Sequence, residues 1–76
     1  MEHDGQLELY TAVASQLKEA HARVRALQVP EGVRMALTRK LLVITAVAKH
    51  DLADATRRLE RFTADLDEGR FPEEGL

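Results

Sequence analysis

From Leu41 onward, apolar residues recur at 41, 44, 48, 52, 55, 59, 62 and 66, in steps of three and four. That spacing places about one side chain per turn on the same face of an α-helix. It confines the chain to helical folds. The register lies inside a 41-residue stretch between Pro30 and Pro72 that contains no proline. An unbroken helix over residues 31–68 would be roughly 57 Å long at ~1.5 Å per residue. A reversal near His50 is the other possibility. Lys49 and His50 suit a helix C-terminus, where cations meet the negative end of the dipole, and histidine tolerates the left-handed conformation. Asp51 suits the N-cap of the next helix, with Asp54 three residues on. These terminus signals favour the reversal. The chain therefore reads as an all-α three-helix bundle, an αα-hairpin plus an N-terminal helix, with the middle helix central. The alternative keeps the second and third helices continuous in an elongated coiled-coil dimer.

The first helix is predicted over about Asp4 to Gln28. Tyr10, Val13, Leu17, Ala20, Val24 and Leu27 form its stripe, with Leu7, Ala14 and His21 beside it. Asp4 is the candidate N-cap, and Glu19 and Arg23 stand four apart as a surface pair. Val29-Pro30 ends the segment, because the residue before proline avoids the α region. The second helix is predicted over about Glu31 to Lys49 and the third over about Leu52 to Glu68. Arg61 and Asp65 are a further candidate pair, and Gly69 followed by Pro72 marks the final stop. Residues 1–76 read as one small domain, with 70–76 as a flexible or fold-back tail carrying Phe71.

Size and composition remove most functional classes. A chain of 76 residues has a marginal core unless its helices pack well or it self-associates. It has no cysteine, so it has neither disulfides nor a thiolate metal site. The apolar fraction of 45% is too high for disorder, yet no apolar run approaches the ~18 residues of a membrane span. The polar, acidic start Met1–Gln6 does not read as a secretory signal. The expectation is a soluble cytoplasmic protein with no membrane partner, and the alanine-, arginine- and valine-rich vocabulary suits a bacterial source. Ser15 is the only serine and sits outside any nucleophile elbow, and neither a phosphate loop nor an HExxH motif is present. The reading is of a protein that is not an enzyme and uses no cofactor.

His50 and Asp54 are four apart and a helix could offer both to one metal ion. A zinc site needs three or four ligands, and His3 and His21 have no spacing that supplies them. Capping accounts for the same residues, so no metal is expected. His21, at the edge of its stripe, reads as a half-exposed flank rather than a proton switch.

Two features point to partners. The second helix is apolar on two sides. Val33, Ala36, Leu37, Leu41, Ile44, Val47 and Ala48 make a wide main face, whereas Met35, Leu42 and Ala46 point almost the opposite way at about 100° per residue. Fully burying Met35 and Leu42 would contribute roughly 3–6 kcal/mol gross, comparable to the whole stability of a small domain. Met35, Leu42, Ala46 and Phe71 are accordingly the candidate interface, for a second copy of the chain or another protein. The second feature is charge. Residues 34–61 hold seven basic and three acidic side chains, a local net charge of +4 on a chain of net charge −2. Arg57, Arg58 and Arg61 cluster and are candidate phosphate contacts. The other basic residues scatter around the second helix, no helix-turn-helix glycine is present, and aromatics for base stacking are nearly missing. A solvated face is the simpler account, and nucleic acid stays the second choice of partner.

Residues 37–66 resemble the helical module called FIMAH, known from C-terminal regions of secreted bacterial proteins. Leu37, Lys40 and Leu41 match its first helix. His50-Asp51 stands where that module has Gly-Asn, and Ala55, Leu59 and Phe62 match its second helix. The resemblance implies an αα-hairpin and a non-catalytic module, and carries no site residues. The first helix is also similar in composition to the N-terminal coiled-coil docking elements of modular polyketide synthases, which implies partner docking.

Overall fold

The computed structural model describes residues 2–71, with side chains from residue 8 onward. It contains three helices: α1 (Glu2–Ala26), α2 (Glu31–Ala48) and α3 (Leu52–Asp67). No strand occurs among the described residues, and each helix packs against both others. This is the all-α three-helix bundle that the sequence predicts. The continuous alternative is not formed: the chain reverses over Lys49–Asp51, and the radius of gyration is 13.3 Å.

The reversal needs neither glycine nor proline. The N–H of Lys49 donates to the Ala46 carbonyl, and those of His50 and Asp51 both donate to the Val47 carbonyl at 2.9 and 2.8 Å. Asp51 then switches to extended backbone, φ −151° and ψ 92°, and its carboxylate accepts from the N–H of Asp54 at 3.1 Å. An aspartate N-cap thus restarts the helix where the apolar register alone would have carried it through. His50 does not take the left-handed conformation, since among the described residues no non-glycine residue has positive φ. Tightened i→i−3 bonds close the last turn instead.

At the end of α3, Gly69 does take positive φ, +74°. Its N–H donates to the Leu66 carbonyl, and that of Arg70 to the Asp65 carbonyl at 2.8 Å. These are the paired bonds of a Schellman motif. The turn directs Phe71 back onto the core, where it packs half-buried. Residues 72–76 of the expected tail lie outside the described residues.

The α1–α2 connection is held by a side chain that sequence patterning did not single out. Arg34, in the first turn of α2, donates to the carbonyls of Val24 at 2.7 Å, Arg25 at 2.9 Å and Leu27 at 2.9 Å. Carbonyls at a helix C-terminus have no partner within the helix, and a planar guanidinium with five N–H donors suits several at once. Pro30 sits at the N-cap position without a side-chain cap, and its carbonyl accepts the first α2 bond from Arg34 at 3.0 Å.

The core is formed by Val13, Leu17, Ala20 and Val24 of α1, Val33, Leu37, Leu41 and Ile44 of α2, and Ala55, Leu59, Phe62 and Leu66 of α3. The hydroxyls of Thr45, Thr56 and Thr63 donate to carbonyls four residues back, so these half-buried polar groups are satisfied.

Four sequence expectations need correction. Helix α1 begins at Glu2, which puts Asp4 inside the first turns rather than at the N-cap. Tyr10 is 54% exposed. A stripe stepped at 3.5 drifts against the 3.6-residue helix, and by Tyr10 it has rotated off the core, where Leu9 packs instead. Arg23 pairs with Asp67 of α3 at 2.8 Å rather than with Glu19, which ties together the C-terminal ends of two parallel helices. No ion pair joins Arg61 to Asp65 among the described residues.

Replacing Arg34 leaves three carbonyls without their charged donor. Hydrogen bonds to charged groups contribute about 1.5–3 kcal/mol. Arg34→Ala is expected to cost roughly 2–3 kcal/mol, a fall in Tm of about 8–24 °C for a domain of this size, measured by circular dichroism melting. Arg34→Lys recovers only part of the loss, because an ammonium does not reproduce the fork. Asp51→Ala is expected to cost about 1 kcal/mol through the lost cap.

Candidate interaction surfaces

Helix α2 carries the four-residue run Leu41-Leu42-Val43-Ile44. At about 100° per residue four consecutive side chains cannot share one face. Leu41 and Ile44 turn inward, at 0% and 4% exposure, and Leu42 and Val43 turn outward, at 58% and 48%. Met35 is 55% exposed on the same side, and Ala46 is exposed one turn beyond Leu42. Neighbouring helices therefore do not cover the second apolar side of α2. Met35, Leu42 and Ala46 stand where the spacing predicts, opposite the core. Val43 belongs to the same exposed surface and was missed. Its signal was the uninterrupted run itself, which forces half of its members outward. Phe71, by contrast, is apart from this stripe, packed against the core.

A shallow trough of about 290 Å³ runs between α2 and α3 on the Val43 side of the stripe. Val43, Ile44 and Phe62 form its floor, and Lys40, Arg58, Arg61 and Asp65 rim it. A second trough, of about 280 Å³, lies between α1 and α2 and includes exposed Tyr10, half-buried His21, Lys18 and Lys49.

The arginine cluster is partly spoken for. Asp54 accepts from Arg58 Nε at 2.8 Å and from Arg57 at 3.0 Å, so both carboxylate oxygens hold a guanidinium. The hydrogen bond from Arg58 is the largest influence and lowers the Asp54 pKa below the usual 3.8; desolvation opposes it, and the charge of Arg58 and the hydrogen bond and charge of Arg57 add to the lowering. Along α3 the charges run Asp54, Arg57 and Arg58, Arg61, Asp65, so two basic turns lie between two acidic ones. Arg61 and Lys40 have no hydrogen bond or ion pair among the described residues.

His50 is exposed, and both oxygens of Asp54 are engaged by arginines. Among the described residues no group of three or more His, Cys, Asp or Glu side chains is placed to hold a metal ion. No described helix is long and apolar enough to cross a membrane.

No family model matches the chain, and no curated protein or solved structure matches it.

The Asp54 contacts carry a defined pH dependence. A carboxyl whose pKa is depressed by folding contributes stability above its unfolded pKa, and loses it as pH falls through the folded value. Asp54→Asn is expected to be less stable than the parent at pH 7. The difference should shrink below about pH 4 and vanish once the parent carboxyl is protonated. Urea titrations of both proteins across that range measure it.

Proposed function

We propose that the chain is a non-catalytic helical interaction module that self-associates through the outer face of α2. The observation that supports this reading is the set of half-exposed apolar side chains Met35, Leu42 and Val43 on a helix whose other side forms the core. Paired antiparallel about a two-fold axis near Lys40 and Leu41, two such helices would set Met35 of one copy opposite Ala46 of the other. The same register brings Glu31 opposite His50, within one residue of Lys49. Large against small and acid against base is the complementarity a symmetric helix pair needs.

The energetics set the scale of the association. Full burial of such a side chain contributes about 1.5–3 kcal/mol, and roughly half of that is already realised on folding. Three side chains from each of two copies then contribute roughly 5–9 kcal/mol gross. Association costs an estimated 4–15 kcal/mol in lost freedom. The dimer is accordingly weak and concentration-dependent, at the small end of specific interfaces.

Absence of catalysis is part of the same proposal. The one serine, Ser15, is exposed on α1, and the troughs are open and no larger than the bottom of the ligand-pocket range, about 300 Å³. The alternative, nucleic-acid contact through Arg57, Arg58 and Arg61, has weaker support, because Asp54 already neutralises two of the three.

Leu42→Glu places a carboxylate at the centre of the stripe on an exposed position. The expected outcome is unchanged helicity with loss of the concentration-dependent rise in mass by light scattering. A parent chain that stays monomeric at about millimolar concentration, the weak limit for such contacts, would overturn the dimer.

A further inference from the structure

We infer that the trough between α2 and α3 is a docking site for a fourth helix, an acidic amphipathic segment supplied by another protein. The inference stands on a surface that shares Val43 with the α2 stripe and does not require self-association.

The floor and rim define the occupant. Val43, half-exposed, lies over the nearly buried Ile44 and Phe62, which makes a narrow apolar strip rather than a cavity. The rim on α3 extends from Arg58 to Asp65, about two helical turns or roughly 10 Å. An open trough of that length between two helices accepts a ridge of side chains at i, i+3 or i+4 and i+7, which is the helix-in-groove mode. A helix lying there would turn the three-helix bundle into a four-helix one, with the new member packed on α2 and α3 as α1 is on their other side.

Charge selects the chemistry of that helix. Lys40 rims the trough on α2 and Arg61 on α3, and neither has a partner among the described residues. Arg58 is held at the edge by Asp54. With Arg58 neutralised by Asp54, the unpaired Lys40 and Arg61 outweigh the carboxylate of Asp65 and favour glutamates or aspartates flanking the occupant's apolar ridge, with a neutral or basic residue where it passes Asp65. A nucleic acid strand is a poorer fit, because no exposed aromatic lines this trough for stacking. Another copy's α2 is also poorly matched, since it would bring Arg39, Lys40 and Lys49 against the same cations.

The test is fluorescence anisotropy with a labelled synthetic helix of about 18 residues. It carries leucines at i, i+3 and i+7 flanked by glutamates, and its lysine counterpart serves as control. The glutamate peptide is expected to bind, and to weaken about ten-fold or more as salt rises. Lys40→Glu combined with Arg61→Glu should weaken it by at least about ten-fold, and Val43→Asp should weaken it as well. Leu42→Glu, outside the trough, should leave binding unchanged even where it abolishes self-association. Lys40→Gln with Arg61→Gln repeats the charge test if the doubly acidic variant loses helicity. Equal binding of both peptides, no binding at about millimolar concentration, insensitivity to the rim substitutions, or binding of a single-stranded oligonucleotide to the same residues in place of the peptide would each overturn the inference.

Discussion

The guanidinium of Arg34 sits where the chain has least room to manoeuvre. Only four residues, Leu27 to Pro30, connect α1 to α2, and they include a proline that offers no N–H. The last carbonyls of α1 need donors at that point, and Arg34 reaches three of them from the first turn of the next helix. A cation in the first turn opposes the helix dipole, so its position costs α2 something that its bonds to α1 offset. Without this contact the angle between α1 and α2 would be set by apolar packing alone, which is non-directional. The core residues of α1 and α2 meet in register because a directional, charge-assisted contact fixes the chain reversal.

The second reversal is held differently. Asp51 uses its backbone to break the helix and its carboxylate to start the next one. The two reversals together explain how a chain with no cysteine reaches a defined bundle. Each short connection has one polar side chain satisfying backbone groups that packing leaves open, and among the described residues no buried side-chain polar atom lacks a partner.

Once both reversals are fixed, α2 is committed to facing α1 and α3 with one broad side. Its opposite side must then face outward. The apolar residues there are the consequence of a run too rich in leucine and valine to be buried by two neighbours. The cations beside them follow from the same geometry: Lys40 on the α3 flank and Lys49 on the α1 flank extend from the edges of the buried face. The proposed pairing stripe and the proposed acidic-helix trough are therefore two parts of one exposed, apolar and basic side of the molecule.

Period and capping chemistry, read along the chain, determined three helices, their ends to within a few residues, and nearly all of the core, because both depend on neighbours within one or two turns. The outward stripe of Met35, Leu42 and Ala46 was legible for the same reason, since a helix fixes the angle between residues on its own surface. Whether that stripe would be covered was decided only by the tertiary structure, because coverage depends on where two other helices lie. Phe71 joined the core, Arg23 chose Asp67 and Arg34 became a clamp, each through a contact with another element, whereas Tyr10 left the core because its stripe drifts around α1. Arg57 and Arg58 were visible as a cluster, but their engagement by Asp54 required side-chain geometry that spacing alone leaves open. Local periodicity specifies which way a side chain leaves its helix; the packing of helices specifies what it meets.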